Sequence, residues 1–283
     1  VIAGSWQRLA ALLLVGGIGL SPVRADEPAP EAWHRGEVLL QNAARWLQRG
    51  RDPDPEVRDV YLDLEDVRVA DAVSRHEGFL RIWYVAPDRF RLEQRAERAR
   101  TQFVTKILHG DDLAFIGLDG RPRAAGRDAD GVRARAQLAA DRERFADLAR
   151  YLTLGALGGE GVRFEDRGRL PSGEEGLPDV LHVVRRHAPG EPPTDLWFET
   201  AEAPRTVGDL RRVHLGADEA AGMPARRWHM DAWRDVPADG RRMPGRVESW
   251  TYGTAGPQRT LLAHLARVRV NGDIPDALFH IPE

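Results

Sequence analysis

Gly78-Phe79-Leu80-Arg81-Ile82-Trp83-Tyr84-Val85-Ala86-Pro87-Asp88-Arg89-Phe90-Arg91-Leu92-Glu93 is the stretch that decides the fold. Phe79–Val85 is rich in aromatic and β-branched side chains, which suit a pleated, half-buried surface. Pro87-Asp88 predicts a tight turn. Arg89–Glu93 then alternates, with Phe90 and Leu92 on one face and charges on the other. Two such strands joined by a short turn point to an antiparallel sheet with one dry face and one wet face.

Outward from this hairpin the pattern repeats. On its N-terminal side, Val60–Glu65 alternates, and before it Pro30–Gly50 reads as a helix. Trp33, Leu40, Ala43, Ala44 and Leu47 recur there at three- and four-residue spacing. On its C-terminal side, strands are expected at Gln102–Leu108 and Leu113–Leu118 around the turn His109-Gly110-Asp111-Asp112. Asp119–Asp130 reads as a polar loop. Val132–Leu154 reads as a second helix with Leu138, Phe145, Leu148, Ala149 and Leu152 as its stripe. Leu157–Asp179 reads as a Gly- and Glu-rich loop holding one short strand at Val162–Glu165. Six further strands follow at Val180–Arg186, Thr194–Thr200, Val207–Leu215, Arg226–Trp233, Gly245–Tyr252 and Leu261–Val270, each bounded by Pro, Gly or Asp. The expected class is α+β: a strongly curved antiparallel sheet, a half-barrel of about eleven strands, with the helices on its concave side.

Residues 1–25 read as a cleavable export signal. Leu9–Leu20 is an apolar run too short to span a bilayer, Arg8 precedes it, and Val23-Arg24-Ala25 offers small residues for a peptidase. The alternative, an uncleaved anchor, sits poorly with Gly16, Gly17 and Gly19. Residues 26–283 are then expected to form one domain, with an insertion around 119–179. The chain has no cysteine, so neither a disulfide framework nor a lipid-bearing thiol is available.

Composition narrows the chemistry. The formal net charge is −3, which is unlike the basic face that nucleic acid attracts. Lys106 stands alone against forty arginines, a compositional bias with no chemistry attached. Beyond the leader the serines are Ser74, Ser172 and Ser249, none in a G-x-S-x-G elbow. There is no G-x-G-x-x-G, P-loop or H-E-x-x-H. His182 and His187 are five apart, so on a strand they face opposite sides and cannot chelate together. Asp111-Asp112 reads as a turn pair, and Trp228, Trp233 and Trp250 suit either a core or a cleft. No catalytic group, metal or cofactor is expected.

The chain resembles the LolA/LolB family of periplasmic lipoprotein carriers, whose fold also serves the RseB/MucB regulators. Four segments carry the likeness: the Gly78–Glu93 hairpin; His109-Gly110-Asp111-Asp112-Leu113-Ala114-Phe115; Asp195-Leu196-Trp197-Phe198-Glu199-Thr200 running on to Pro204 and Val207; and Val268-Arg269-Val270-Asn271 with Ile274-Pro275-Asp276 and Phe279. The resemblance implies a soluble, monomeric, non-enzymatic periplasmic protein that binds an acyl chain or lipoprotein in an apolar half-barrel cleft. An inner- or outer-membrane protein would be its partner, with no role for nucleic acid. It assigns Trp83, Val85, Phe90, Leu92, Phe103, Ile107, Phe115 and Trp197 to the cleft, though the same side chains would also fill a closed core. An RseB-like sensor or scaffold that binds a protein partner is the alternative it allows. Carriers of this family commonly place an arginine before the proline of the first hairpin; here that position is Ala86.

Overall fold

The apolar stripe of the first helix, α1 (Pro30–Leu47), is buried as its spacing requires: Trp33, Leu40, Ala43, Ala44 and Leu47 all face inward. Six strands follow: β1 (Asp59–Ala70), β2 (Arg75–Val85), β3 (Arg89–Arg95), β4 (Val104–His109), β5 (Asp112–Ile116) and β6 (Pro122–Ala124). Helix α2 (Ala129–Thr153) starts where the Asp128 side chain accepts a hydrogen bond from the Gly131 N–H at 2.8 Å. The second run of strands comprises β7 (Arg163–Leu170), β8 (Val180–Arg186), β9 (Thr194–Glu199), β10 (Leu210–Leu215), β11 (Ala225–Asp231), β12 (Arg234–Val236), β13 (Arg241–Met243), β14 (Arg246–Gly253) and β15 (Gly256–Val270). This computed structural model describes residues 29–70, 75–95, 104–171, 179–187, 192–200, 207–217, 224–236, 240–253 and 256–281. Residues 1–25, expected to be an export signal, and Phe103 lie outside the described residues.

Among the described residues, thirteen strands form one open antiparallel sheet in the order β6-β5-β4-β3-β2-β1-β15-β14-β11-β10-β9-β8-β7. Two meanders therefore meet where the first strand pairs with the last. Register shifts in β1 between Asp63 and Leu64, and again between Glu65 and Arg68, act as bulges, which bend a sheet and deepen its twist. The α+β class with an open, curved antiparallel sheet is what the alternation predicted, with two more strands than expected. Strand β6 is three residues inside the segment read as a polar loop, and β12–β13 is a separate two-stranded ribbon. Strands this short carry no readable periodicity. Strand β7 runs to Leu170, past the expected Glu165, because an edge strand can be polar on both faces. The 119–179 segment thus supplies β6, α2 and β7.

Both helices cover the same face. Phe145 of α2 stacks over Phe90 of β3, with ring centroids 6.4 Å apart. Helix α1 comes down on β7 through Gly36, where a Cβ would lie 2.2 Å from the Phe164 carbonyl oxygen. Trp46 Nε1 donates to Asp209 Oδ1 at 2.9 Å, and Arg242 donates to both oxygens of the same carboxylate at 3.0 and 2.7 Å. That knot fastens α1 to the β12–β13 ribbon. Among the described residues, no helix is long and apolar enough to cross a membrane.

Candidate functional site

Cross-strand register assigns every sheet residue to the helix-covered inner face or to the outer face. Phe90 pairs with Tyr84, and Leu92 with Ile82, all on the inner face beneath α2. Phe115 pairs with Lys106, which in turn pairs with Leu92, so Phe115 belongs to that face too. Trp83 pairs with Arg91, and Val85 with Arg89, on the opposite face. Ile107 also pairs with Arg91; it is buried on the outer side, where the C-terminal turn Asp276–Phe279 packs on β3 and β4. Trp197 stacks flat on the outer-face His182, at 4.9 Å between centroids, with Arg212 above it at 5.6 Å.

The residues assigned to one cleft therefore divide. Phe90, Leu92 and Phe115 share the inner face, whereas Trp83, Val85, Ile107 and Trp197 are on the outer face. The reason is parity: in β2 and β9 the aromatics Trp83 and Trp197 occupy the wet-face positions, where their rings pack against Tyr61, His182 and arginines. Bulk alone does not report which face a strand residue takes. Arg89 and Arg91 lie opposite Phe90, as the alternation predicted; Arg91 donates to the Leu278 carbonyl at 2.9 Å and Arg89 pairs with Asp276. These contacts strap the C-terminal turn onto the outer face. Of the three late tryptophans, Trp228 is core, Trp250 donates to Glu248, and Trp233 donates to the Leu210 carbonyl.

On the inner face of β8–β15, two neighbouring rows differ sharply. Val183, Leu196, Val213, Trp228, Ser249 and Leu261 are paired in succession across six strands, each with 1% exposure or less. Trp228 Nε1 is buried in this row, with no hydrogen-bond partner among the described residues. Two residues further out, the next row reads Arg185, Thr194, Leu215, Arg226. The last turns of α2 roof this rim with Asp147, Arg150 and Tyr151, enclosing a cleft of about 460 Å³.

The rim is organised around one carboxylate. Asp147 receives Arg150 at 2.8 Å and Arg226 at 3.2 Å. Burial pushes the Asp147 carboxyl above its ordinary range, and the two arginines only partly offset that push. The Tyr151 phenol is raised too, first by burial and then by the neighbouring Asp147. Arg185 donates to the Leu157 carbonyl at 2.7 Å and contacts His187, which reaches Thr194 Oγ1 at 3.3 Å. The arrangement sets three guanidinium groups about one carboxylate at the edge of a fully buried apolar row. It can bind an anion at its mouth and apolar matter behind it.

The sequence analysis singles out none of Asp147, Arg150, Arg185 and Arg226, although a signal is present. Arg185 follows Leu181 and Val183 at the dry-face parity of β8, and Arg226 precedes Trp228 and Met230 at the same parity of β11. An arginine at an apolar parity position marks the edge of the buried surface.

No protein-family model and no curated protein sequence matches the chain. Among solved structures it is similar to the crystal structure of a LolA superfamily protein from Nitrosomonas europaea. The identity is 10%, the alignment covers 87% of this chain and 97% of that one, and the TM-score is 0.42.

Proposed function

We propose that the protein is an exported, non-enzymatic carrier that holds an acyl chain between α2 and the inner face of the sheet, with lipids or lipoproteins of the periplasm as its cargo class. The observation that supports this reading is the juxtaposition on one face of a dry apolar row, from Val183 to Leu261, and a charged rim that opens to solvent. A surface with that polarity step complements an amphiphile. The export signal in the sequence is consistent with cargo moving between membranes.

The apolar stripe of α2 is packed against this face, so uptake would exchange it for the ligand. Exposing Leu138, Phe145, Leu148 and Leu152 costs about 2 kcal/mol each, and burying a methylene returns about 0.8 kcal/mol. About ten methylenes balance the exchange, so chains of fourteen carbons and longer should bind and eight-carbon chains should not. Native mass spectrometry of protein purified from membrane-containing cells should show a co-purifying acyl lipid. Stripped protein should then take up cis-parinaric acid and be competed by palmitate but not by octanoate. Protein that carries nothing and takes up no long-chain probe would refute the carrier reading.

A further inference from the structure

We infer that Arg150, Arg185 and Arg226 form a site for the phosphate group of an anionic amphiphile, placed where the head group of an acyl-bearing ligand would emerge. The acyl part of this inference rests on the carrier reading above; the phosphate part stands on the rim itself.

Three guanidinium groups surround the cleft, and among the described residues lining it Asp147 is the single carboxylate. That leaves an excess of two positive charges in a concave, partly desolvated mouth. Arg185 and Arg226 lie three strand spacings apart, about 14 Å along the sheet, with only Thr194 and Leu215 between them. A group accepting from both must therefore sit above that pair of small and apolar side chains, under the end of α2. Arg150 approaches the same volume from the helix.

Guanidinium forks match phosphate oxygens and keep their charge on burial. Among the described residues, Arg150 and Arg226 each engage Asp147 through one terminal nitrogen, at Nη1 and Nη2. The carboxylate thereby fixes both side chains and leaves their other N–H groups to turn toward the cleft. Asp147 is a positioning residue here and not a ligand. The row behind the rim supplies the tail's environment: from Arg226 to Trp228 and from Arg185 to Val183, two residues along the strand pass from charge to full burial. An anionic head and an apolar tail on one molecule satisfy both rows at once.

The test uses the full chain and three probes: palmitoyl lysophosphatidic acid, monopalmitoylglycerol with the same tail and no phosphate, and inorganic phosphate. Wild-type protein should bind the phosphate-bearing lipid at least tenfold more tightly than monopalmitoylglycerol. The double variant R185Q/R226Q should lose that preference while binding monopalmitoylglycerol unchanged, which also shows that it is folded. Should that variant fail to fold, R185K/R226K keeps the charges, loses the forks, and should cut the preference severalfold. Equal wild-type affinity for the two lipids overturns the phosphate site and leaves the carrier reading intact. Binding of inorganic phosphate that R185Q/R226Q abolishes, with neither lipid bound, supports the rim as a free-phosphate site and overturns the amphiphile.

Discussion

His214 sits on the outer face between Asp195 of β9 and Arg227 of β11, with the Tyr252 ring 5.9 Å away. Burial lowers its pKa first, Arg227 and Arg212 lower it further, and Asp195 opposes them. A folded-state value below the unfolded 6.5 means that the unfolded chain takes up the proton more readily. Its contribution is therefore complete above about pH 6.5 and is lost as pH falls through the lowered value. Urea midpoints should decline between pH 7 and pH 5.5, and His214→Gln should flatten that decline; an unchanged slope would show that the ring does not titrate against folding. Asp147 has the opposite sign. Its raised folded-state pKa makes the folded protein the better proton acceptor, so its protonation favours folding as pH falls toward the ordinary carboxylate range.

At the scale of elements, the approach of α1 to β7 depends on a missing side chain. At Gly36 a Cβ would meet the Phe164 carbonyl oxygen at 2.2 Å, its carbon at 2.6 Å and the Asp166 nitrogen at 2.9 Å, all of them backbone atoms that cannot swing aside. Helix propensity alone favours alanine there by about 1 kcal/mol, but overpacking against backbone costs about 1–3 kcal/mol. Gly36→Ala should therefore lower the urea midpoint, and a stabilised variant would show that the helix and strand are not in backbone contact at this position. This contact was not readable from the sequence, since a glycine within a helical stripe carries no mark of the partner it meets. The helices themselves were legible because Trp33 to Leu47 and Leu138 to Leu152 keep a 3.6-residue period. The three-residue strands of the β12–β13 ribbon were not, having no period to read.

Across the whole molecule, β1 and β15 are paired on both sides at the centre of the sheet, whereas α2 is held mainly by one apolar stripe. Regions opening at low cost are those with fewer buried contacts and more solvated backbone. Hydrogen exchange should find α2 amides opening at a lower free energy than those of β1 and β15, and a long-chain lipid should alter α2 exchange while leaving the central strands unchanged. If α2 opened only with global unfolding, the cleft would have no route for a chain to enter. The sequence by itself determined the alternation of Gly78–Glu93, hence a half-wet antiparallel sheet, together with two amphipathic helices to cover it. Those are local properties, set by the periods of strand and helix. Only the tertiary structure decided that Trp83 and Trp197 face outward and that Arg185 and Arg226 stand in one row under Asp147 and Arg150. Register between strands distant in sequence makes that assignment, because a row across β8, β9, β10 and β11 exists only once the strands are paired.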